Sequence, residues 1–217
     1  DAIGSAPRLK KLLVSHNWLG NQGAKALAAG VANCLELQVL DVSAIGRPRR
    51  SGSRRGNDGM VALAHSLANC PNLEQLGFSH NGLGDEGTVA LANALASCPK
   101  LEVLLFNGNG VGATGMEAVA AQLPRWPKLR ELHAQRNRAN LVAHNQPTGI
   151  YDPIDLWTYR DVDLQGQALG RALVEALPSL PRGQFFLDEA AVSKGLAEEL
   201  RATNARVGNG LYLWPDM

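Results

Sequence analysis

The chain has 217 residues, 45% of them hydrophobic, and a formal net charge of +1. That length and apolar content suffice for one domain with a substantial core, and the near-zero balance removes any bulk electrostatic case for nucleic acid or for a highly charged partner. No apolar run approaches the roughly 20 residues needed to span a bilayer, and residues 1–8 lack the basic start and apolar middle of a secretory leader. The expected location is therefore intracellular and cytoplasmic, with a cytoskeletal or other large assembly as a natural setting.

In chain order, residues 1–8 come first. Ile3 and Pro7 precede Leu9 at the spacing by which Leu95 and Pro99 precede Leu101, so this segment reads as the tail of an earlier repeat. A fragment of a longer protein is expected, and a processed start at Asp1 is the alternative. Leu9, Leu12, Val14, Asn17, Leu19, Gly20 and Gly23 then open a unit that returns as Leu73, Leu76, Phe78, Asn81, Leu83, Gly84 and Gly87. It returns again, 28 residues on, as Leu101, Leu104, Phe106, Asn109, Val111, Gly112 and Gly115. Each unit starts with period-2 apolar residues, turns at its Asn, and continues at helical spacing (Leu91, Leu95). One strand and one helix cannot bury their own apolar faces, so such units stack into a curved solenoid.

The pattern Leu-x-x-Leu-x-Leu-x-x-Asn-x-Leu-Gly-x-x-Gly with an Ala/Leu helix resembles the ribonuclease-inhibitor class of leucine-rich repeats. The resemblance covers residues 1–139 closely and continues loosely to 187. It implies an α/β horseshoe, a concave parallel β-sheet lined outside by helices, and asparagines that bond the backbone of neighbouring turns. That class includes ribonuclease inhibitor, the Ran GTPase-activating protein, sensor arrays of immune receptors and axonemal scaffolds. These share a fold and not a reaction.

Units begin at Leu9, Leu37, Leu73, Leu101 and Leu129, and the second is eight residues too long. Its excess is a basic loop, 46–56, which replaces the ladder Asn with Ile45 and is followed by a helix from Asp58. The fifth unit carries a rim insertion, 140–162, before a helix over 165–177. A sixth strand is expected at 184–187. After it, Asp188 is placed to cap a helix reaching Asn204, and 208–210 turns into a last apolar segment, 211–214. The whole chain, 1–217, thus reads as a single repeat domain: regular units over 9–139, a last irregular one over 163–187, and a C-terminal cap over 188–217.

Several motifs invite chemistry. Gly110-Val-Gly-Ala-Thr-Gly115 and Gly82-Leu-Gly-Asp-Glu-Gly87 match the dinucleotide fingerprint after a strand and before a helix. The first unit has Trp18-Leu-Gly-Asn-Gln-Gly23 at the same phase, however, so the glycines serve the repeat. His16 and His80 share a phase two strands apart, about 10 Å, too far for one zinc. Ser79, His80 and Asp85 lack a nucleophile turn. Cys34, Cys70 and Cys98 share a phase with Trp126, which suits buried packing and reduced thiols. No catalytic residue, cofactor site or metal site is expected.

Three surfaces remain. Strand alternation points Lys11, Leu13 and Ser15; Val39, Asp41 and Ser43; Gln75, Gly77 and Ser79; Val103, Leu105 and Asn107; and Glu131, His133 and Gln135 out of the concave sheet. This mostly neutral face, apolar at Leu13, Val39, Val103 and Leu105, reads as neither strongly charged nor aromatic. It is either a partner surface or a solvated one. The basic loop carries Arg47, Arg49, Arg50, Arg54 and Arg55, with Ser51 a possible phosphorylation site. It reads as a phosphate or acidic-partner contact, as a localisation signal, or as a solvated loop. The rim insertion gathers Tyr151, Trp157 and Tyr159 among Asp152, Asp155, Asp161 and Asp163; no calcium loop is present, and aromatics edged with charge are what protein interfaces favour, although Trp157 plugging the core is the plainer alternative. The expected function is a non-enzymatic protein-interaction scaffold with a protein partner and no membrane or nucleic-acid partner. A GTPase activator like the Ran regulator and an immune-receptor sensor array are the alternatives.

Overall fold

A computed structural model of the chain describes residues 3–46, 58–135, 137, 167–188, 192–208 and 210–214. Strands and helices alternate: β1 (Lys11–Leu13), α1 (Gly20–Val31), β2 (Val39–Asp41), α2 (Asp58–Ser66), β3 (Gln75–Gly77), α3 (Gly84–Leu95), β4 (Val103–Leu105) and α4 (Ala113–Gln122). They continue through β5 (Glu131–His133), α5 (Gln167–Ala176), β6 (Gln184–Asp188), α6 (Lys194–Val207) and β7 (Gly210–Trp214). All seven strands pair in parallel in the order of the sequence. This is an α/β leucine-rich repeat solenoid, with one sheet on one side and the helices on the other.

The register follows the repeat. Leu12, Leu40, Leu76, Leu104, Leu132 and Phe185 are direct partners across the sheet, and those from Leu40 onward are buried. Stacking explains the exception. Leu83 is 1% exposed between two neighbouring units, whereas its counterpart Leu19 is 39% exposed at the edge of the described stack, and Leu9, Leu12 and Val14 are half-buried there. Residues 3–8 repeat the tail geometry of later units: Ala6 and Leu9 donate to the carbonyls of Ile3 and Ala6 as Cys70 and Leu73 donate to those of Leu67 and Cys70.

Two ladders tie unit to unit. In the first, the Asn81 amide donates to the carbonyls of Val42 and Phe78, Asn109 to Phe78 and Phe106, and Asn137 to Phe106 and Ala134. Their oxygens accept backbone N–H groups of the preceding unit, so at Ile45 the missing rung is met by Asn81, which accepts from Ile45 and Gly46. In the second, the thiols of Cys34, Cys70 and Cys98 reach the carbonyls of Ile3, Val31 and Leu67, and the Trp126 indole donates to Leu95. The expected packing position is also a donor position, which satisfies helix-end carbonyls that would otherwise be orphaned in the core.

One local expectation changes. Asp188 belongs to β6, and the cap of α6 is Ser193, extended at φ −65° and ψ 155°, whose hydroxyl accepts from Leu196 N–H. The strand takes Asp188 because it continues the ladder opposite Trp214, leaving the next favourable cap residue to start the helix. The segment assigned as a C-terminal cap carries α6 and β7, and β7 extends the sheet.

Candidate functional site

Because the strands pair without slippage, each outward position forms a row running across the sheet. The middle row reads Leu13, Asp41, Gly77, Leu105, His133, Phe186 and Tyr212. The row at the strand starts reads Lys11, Val39, Gln75, Val103, Glu131, Gln184 and Gly210. Beyond the strand ends stand Ser15, Ser43, Ser79, Asn107 and Gln135.

The concave face is aromatic at its C-terminal end, contrary to the expectation of a neutral, non-aromatic surface. The ring centroids of His133 and Phe186 lie 4.2 Å apart with planes tilted by 37°, and those of Phe186 and Tyr212 lie 4.6 Å apart, stacked at 10°. Glu131 steadies one end, its Oε1 2.9 Å from His133 Nε2. At the other end Gly210 leaves room for the tyrosine, since a Cβ there would lie 3.2 Å from the ring edge. Tyr212 is 48% exposed and Leu105 and Phe186 half-buried, so four successive strands present a continuous apolar stripe. Phe186 and Tyr212 lie beyond the regular units and outside the expected site, although the alternation in Gln184-Phe-Phe-Leu187 and Leu211-Tyr-Leu-Trp214 carries the signal.

The other concave candidates divide. Leu13 is 55% exposed, and Val39, Asp41, Gln75, Leu105, Glu131 and His133 are partly exposed. Val103 and Ser79 stand in outward rows yet are 8% and 6% exposed. Ser79 is engaged in the scaffold: Ser79 N–H donates to Ser43 Oγ, Asn107 N–H to Ser79 Oγ, and Gln135 N–H to Asn107 Oδ1. Gly77 is covered by Asp41, whose carboxylate would lie 2.4 Å from a Cβ there and accepts Ser43 N–H.

The residues that suggested chemistry hold the turns. His16, Ala44, His80 and Gly108 occupy one repeat position with φ between 54° and 63°, so the histidines follow their strands in left-handed turns, where His is tolerated better than most residues. The ring of His80 lies against Gly108, whose Cβ would come 2.4 Å from Nδ1. The glycines of the apparent fingerprint meet a carboxylate of the protein itself: Asp85 Oδ1 accepts N–H from Gly112 at 2.6 Å and Gly115 at 2.9 Å, filling the helix N-terminus that a phosphate would need. Asn21 accepts in the same way from Gly59. Among the described residues no cluster of three or more His, Cys, Asp or Glu is placed to hold a metal ion, and no helix is long and apolar enough to cross a membrane.

The rim candidates, Arg47, Arg49, Arg50, Arg54, Arg55, Tyr151, Asp152, Asp155, Trp157 and Tyr159, lie outside the described residues. The described residues nearest before them are Gly46, which follows β2, and Asn137, which follows β5.

A family model for the leucine-rich repeat matches residues 7–28, 69–92 and 97–120, and no curated protein matches the chain by sequence. Among solved structures, the actin-binding site 2 domain of leiomodin-1 superposes with a TM-score of 0.52 at 16% identity, over 83% of this chain and 87% of that one. The tropomodulin C-terminal domain of Caenorhabditis elegans superposes with a TM-score of 0.52 at 13% identity, over 95% of this chain and 92% of that one. At such identities the likeness is one of fold, and it agrees with the repeat pattern, the parallel register and the asparagine ladder. The chain is built of leucine-rich repeats, and its fold is that of leucine-rich repeat proteins.

Proposed function

We propose that the chain is a non-enzymatic recognition scaffold that holds a protein partner on its concave sheet, with the two rim insertions adding contacts at the strand-end edge. The in-register stripe of Leu105, His133, Phe186 and Tyr212 carries this reading. Aromatic anchors in a shallow concavity supply most of the energy in protein interfaces, commonly about 2 kcal/mol or more each on truncation, while exposed ion pairs add about 0–1 kcal/mol. On that scale Trp157, Tyr159 and Tyr151 of the rim insertion are the stronger contributors, and Arg47, Arg49, Arg50, Arg54 and Arg55 steer. The comparisons lend nothing to the GTPase-activator or immune-sensor alternatives.

The test places a photo-crosslinking benzophenone at Leu105 and, separately, at exposed Ala26 of α1, and exposes the full chain to native extract. The concave position should capture a protein that the helical position does not, and Tyr212→Ala should reduce the yield. Purified actin, named for the leiomodin-1 domain, forms a further arm with a defined protein. Equal capture at both positions, or an unchanged yield with Tyr212→Ala, would sink the proposal.

A further inference from the structure

The aromatic stripe has a spacing and a charge environment that select among partner shapes. Resting on the concave-face reading above, we infer that the stripe is a groove for one amphipathic α-helix of the partner, laid across the strands, with apolar residues on one side and Lys or Arg beside them.

Spacing comes first. The ring-to-ring steps are 4.2 Å and 4.6 Å, and neighbouring strands lie about 4.8 Å apart, so Leu105 to Tyr212 spans about 14 Å. A helix running along the stripe offers an apolar residue once per turn, about every 5.4 Å, and so presents one side chain to each of the four rungs through positions i, i+3 or i+4, i+7, and i+10 or i+11. An extended segment repeats a given face about every 6.6 Å and is out of step by the second rung. A chain running along a strand instead meets a single rung, because each strand contributes one member of the stripe.

Charge then fixes which helix. In the outward rows from β2 to β7, no described position carries Lys or Arg, and the acidic positions are Asp41, Glu131 and Asp188. Asp41 and Glu131 are partly exposed. Asp41 lies in line with the stripe beyond Gly77, and Glu131 lies in the strand-start row beside His133. The strand-end row reads Ser79, Asn107 and Gln135 and continues at Asp188 of β6. Acidic positions with no Lys or Arg among them call for basic residues beside the apolar face of the helix. An acidic helix would set like charges against Asp41 and Glu131.

A library of random 16-residue peptides is selected against the immobilised full chain, and the enriched sequences are measured by fluorescence anisotropy with the chain in solution. The enriched set should carry apolar residues at i, i+3 or i+4, i+7, and i+10 or i+11 with Lys or Arg adjacent, and should gain helical circular dichroism on binding. Tyr212→Ala and Leu105→Ser should each weaken binding at least tenfold, with melting curves reporting that both variants stay folded. Glu131→Gln should weaken it several-fold and flatten its dependence on salt. Enriched peptides with alternating apolar residues, with acidic flanks, or with binding indifferent to Tyr212→Ala would overturn the inference, as would the absence of any enriched peptide. If crosslinking at Leu105 still captures a Tyr212-dependent protein while the peptides fail, the concave-face reading stands and the helical partner falls.

Discussion

The indole Nε1 of Trp126 donates to the carbonyl oxygen of Leu95 at 2.9 Å, at the repeat position from which the Cys98 thiol reaches the carbonyl of Leu67. Thiol and indole thus do the same work in successive units, closing the helix of the unit before. Burial that suits a neutral donor penalises a thiolate. Burial first, and the cysteine of the preceding unit second, raise the thiols of Cys70 and Cys98 from their ordinary 9.0 up to about 11 and about 12.

The sign of the pH dependence follows. Below pH 9 these thiols are neutral whether the chain is folded or not, and their contribution is intact. As pH rises from 9 towards 12 the unfolded chain ionises them first, so stability falls. Urea midpoints measured across this range should decline more steeply for the native chain than for Cys70→Ala/Cys98→Ala. Identical slopes would show that the thiols are not held neutral.

Asp85 supplies a cap across units. Its Oδ1 takes two N–H groups at the start of α4, and α4 has no side-chain cap from its own first residue. Asp85→Ala leaves both donors without that acceptor and should cost about 0.5–2 kcal/mol in urea denaturation, while Asp85→Asn should restore most of it. A loss equal for both variants would point to charge rather than the hydrogen bonds.

Adjacent residues of β4 make the face assignment measurable. Leu104 is 1% exposed and Leu105 is half-buried on the concave side. Leu104→Ala should cost about 2–5 kcal/mol, the range of core truncations, and cysteine introduced at 105 should react with a maleimide far faster than cysteine at 104. Faster labelling at 104 would mean a register shifted by one residue, which reverses every face assignment in the sheet.

The architecture was legible because it rests on periodicity: the alternation that buries Leu76 and Leu104, and the shared phase of Asn81, Asn109 and Asn137, are both properties of spacing. What escaped depends on contact between units. The Asp85 cap on Gly112 and Gly115, and the His80 ring that leaves Gly108 no room for a side chain, couple residues 27, 30 and 28 positions apart, and no local pattern announces them. Ser193 displaced Asp188 as a cap for a similar reason, since pairing with β7 keeps Asp188 in its strand. The aromatic stripe sits between these cases: its alternation was readable, but its continuity needed the pairing of β5, β6 and β7.

One turn position tests backbone strain. Ala44 has φ 54° where the unit from Leu101 uses Gly108 at φ 63°. A residue with a Cβ costs about 1–2 kcal/mol in this region, whereas glycine adopts it freely at some cost in unfolded-chain entropy. Ala44→Gly should leave stability unchanged or raise it by up to about 1 kcal/mol in urea denaturation. A loss beyond about 1 kcal/mol would mean that the Ala44 methyl contributes packing that outweighs the strain.

The concave stripe and the rim insertions make separable contributions to binding. Tyr212 presents a half-exposed ring stacked on Phe186, so Tyr212→Ala removes contact area without opening the core, and should weaken partner binding at least tenfold by slowing capture less than it speeds release. Trp157→Ala and Tyr159→Ala act on aromatic side chains of the same class in the rim insertion and should also raise the dissociation rate. Arg49→Ala and Arg54→Ala should chiefly lower the association rate and reduce its sensitivity to salt, since exposed charges steer encounter more than they hold a complex. Surface plasmon resonance at two ionic strengths, on the partner captured through Leu105, separates the two effects. If deleting 140–162 leaves a folded chain with full affinity, the concave sheet alone holds the partner. If Tyr212→Ala leaves affinity intact while that deletion abolishes it, the rim is the principal site and the stripe is not the anchor proposed for it.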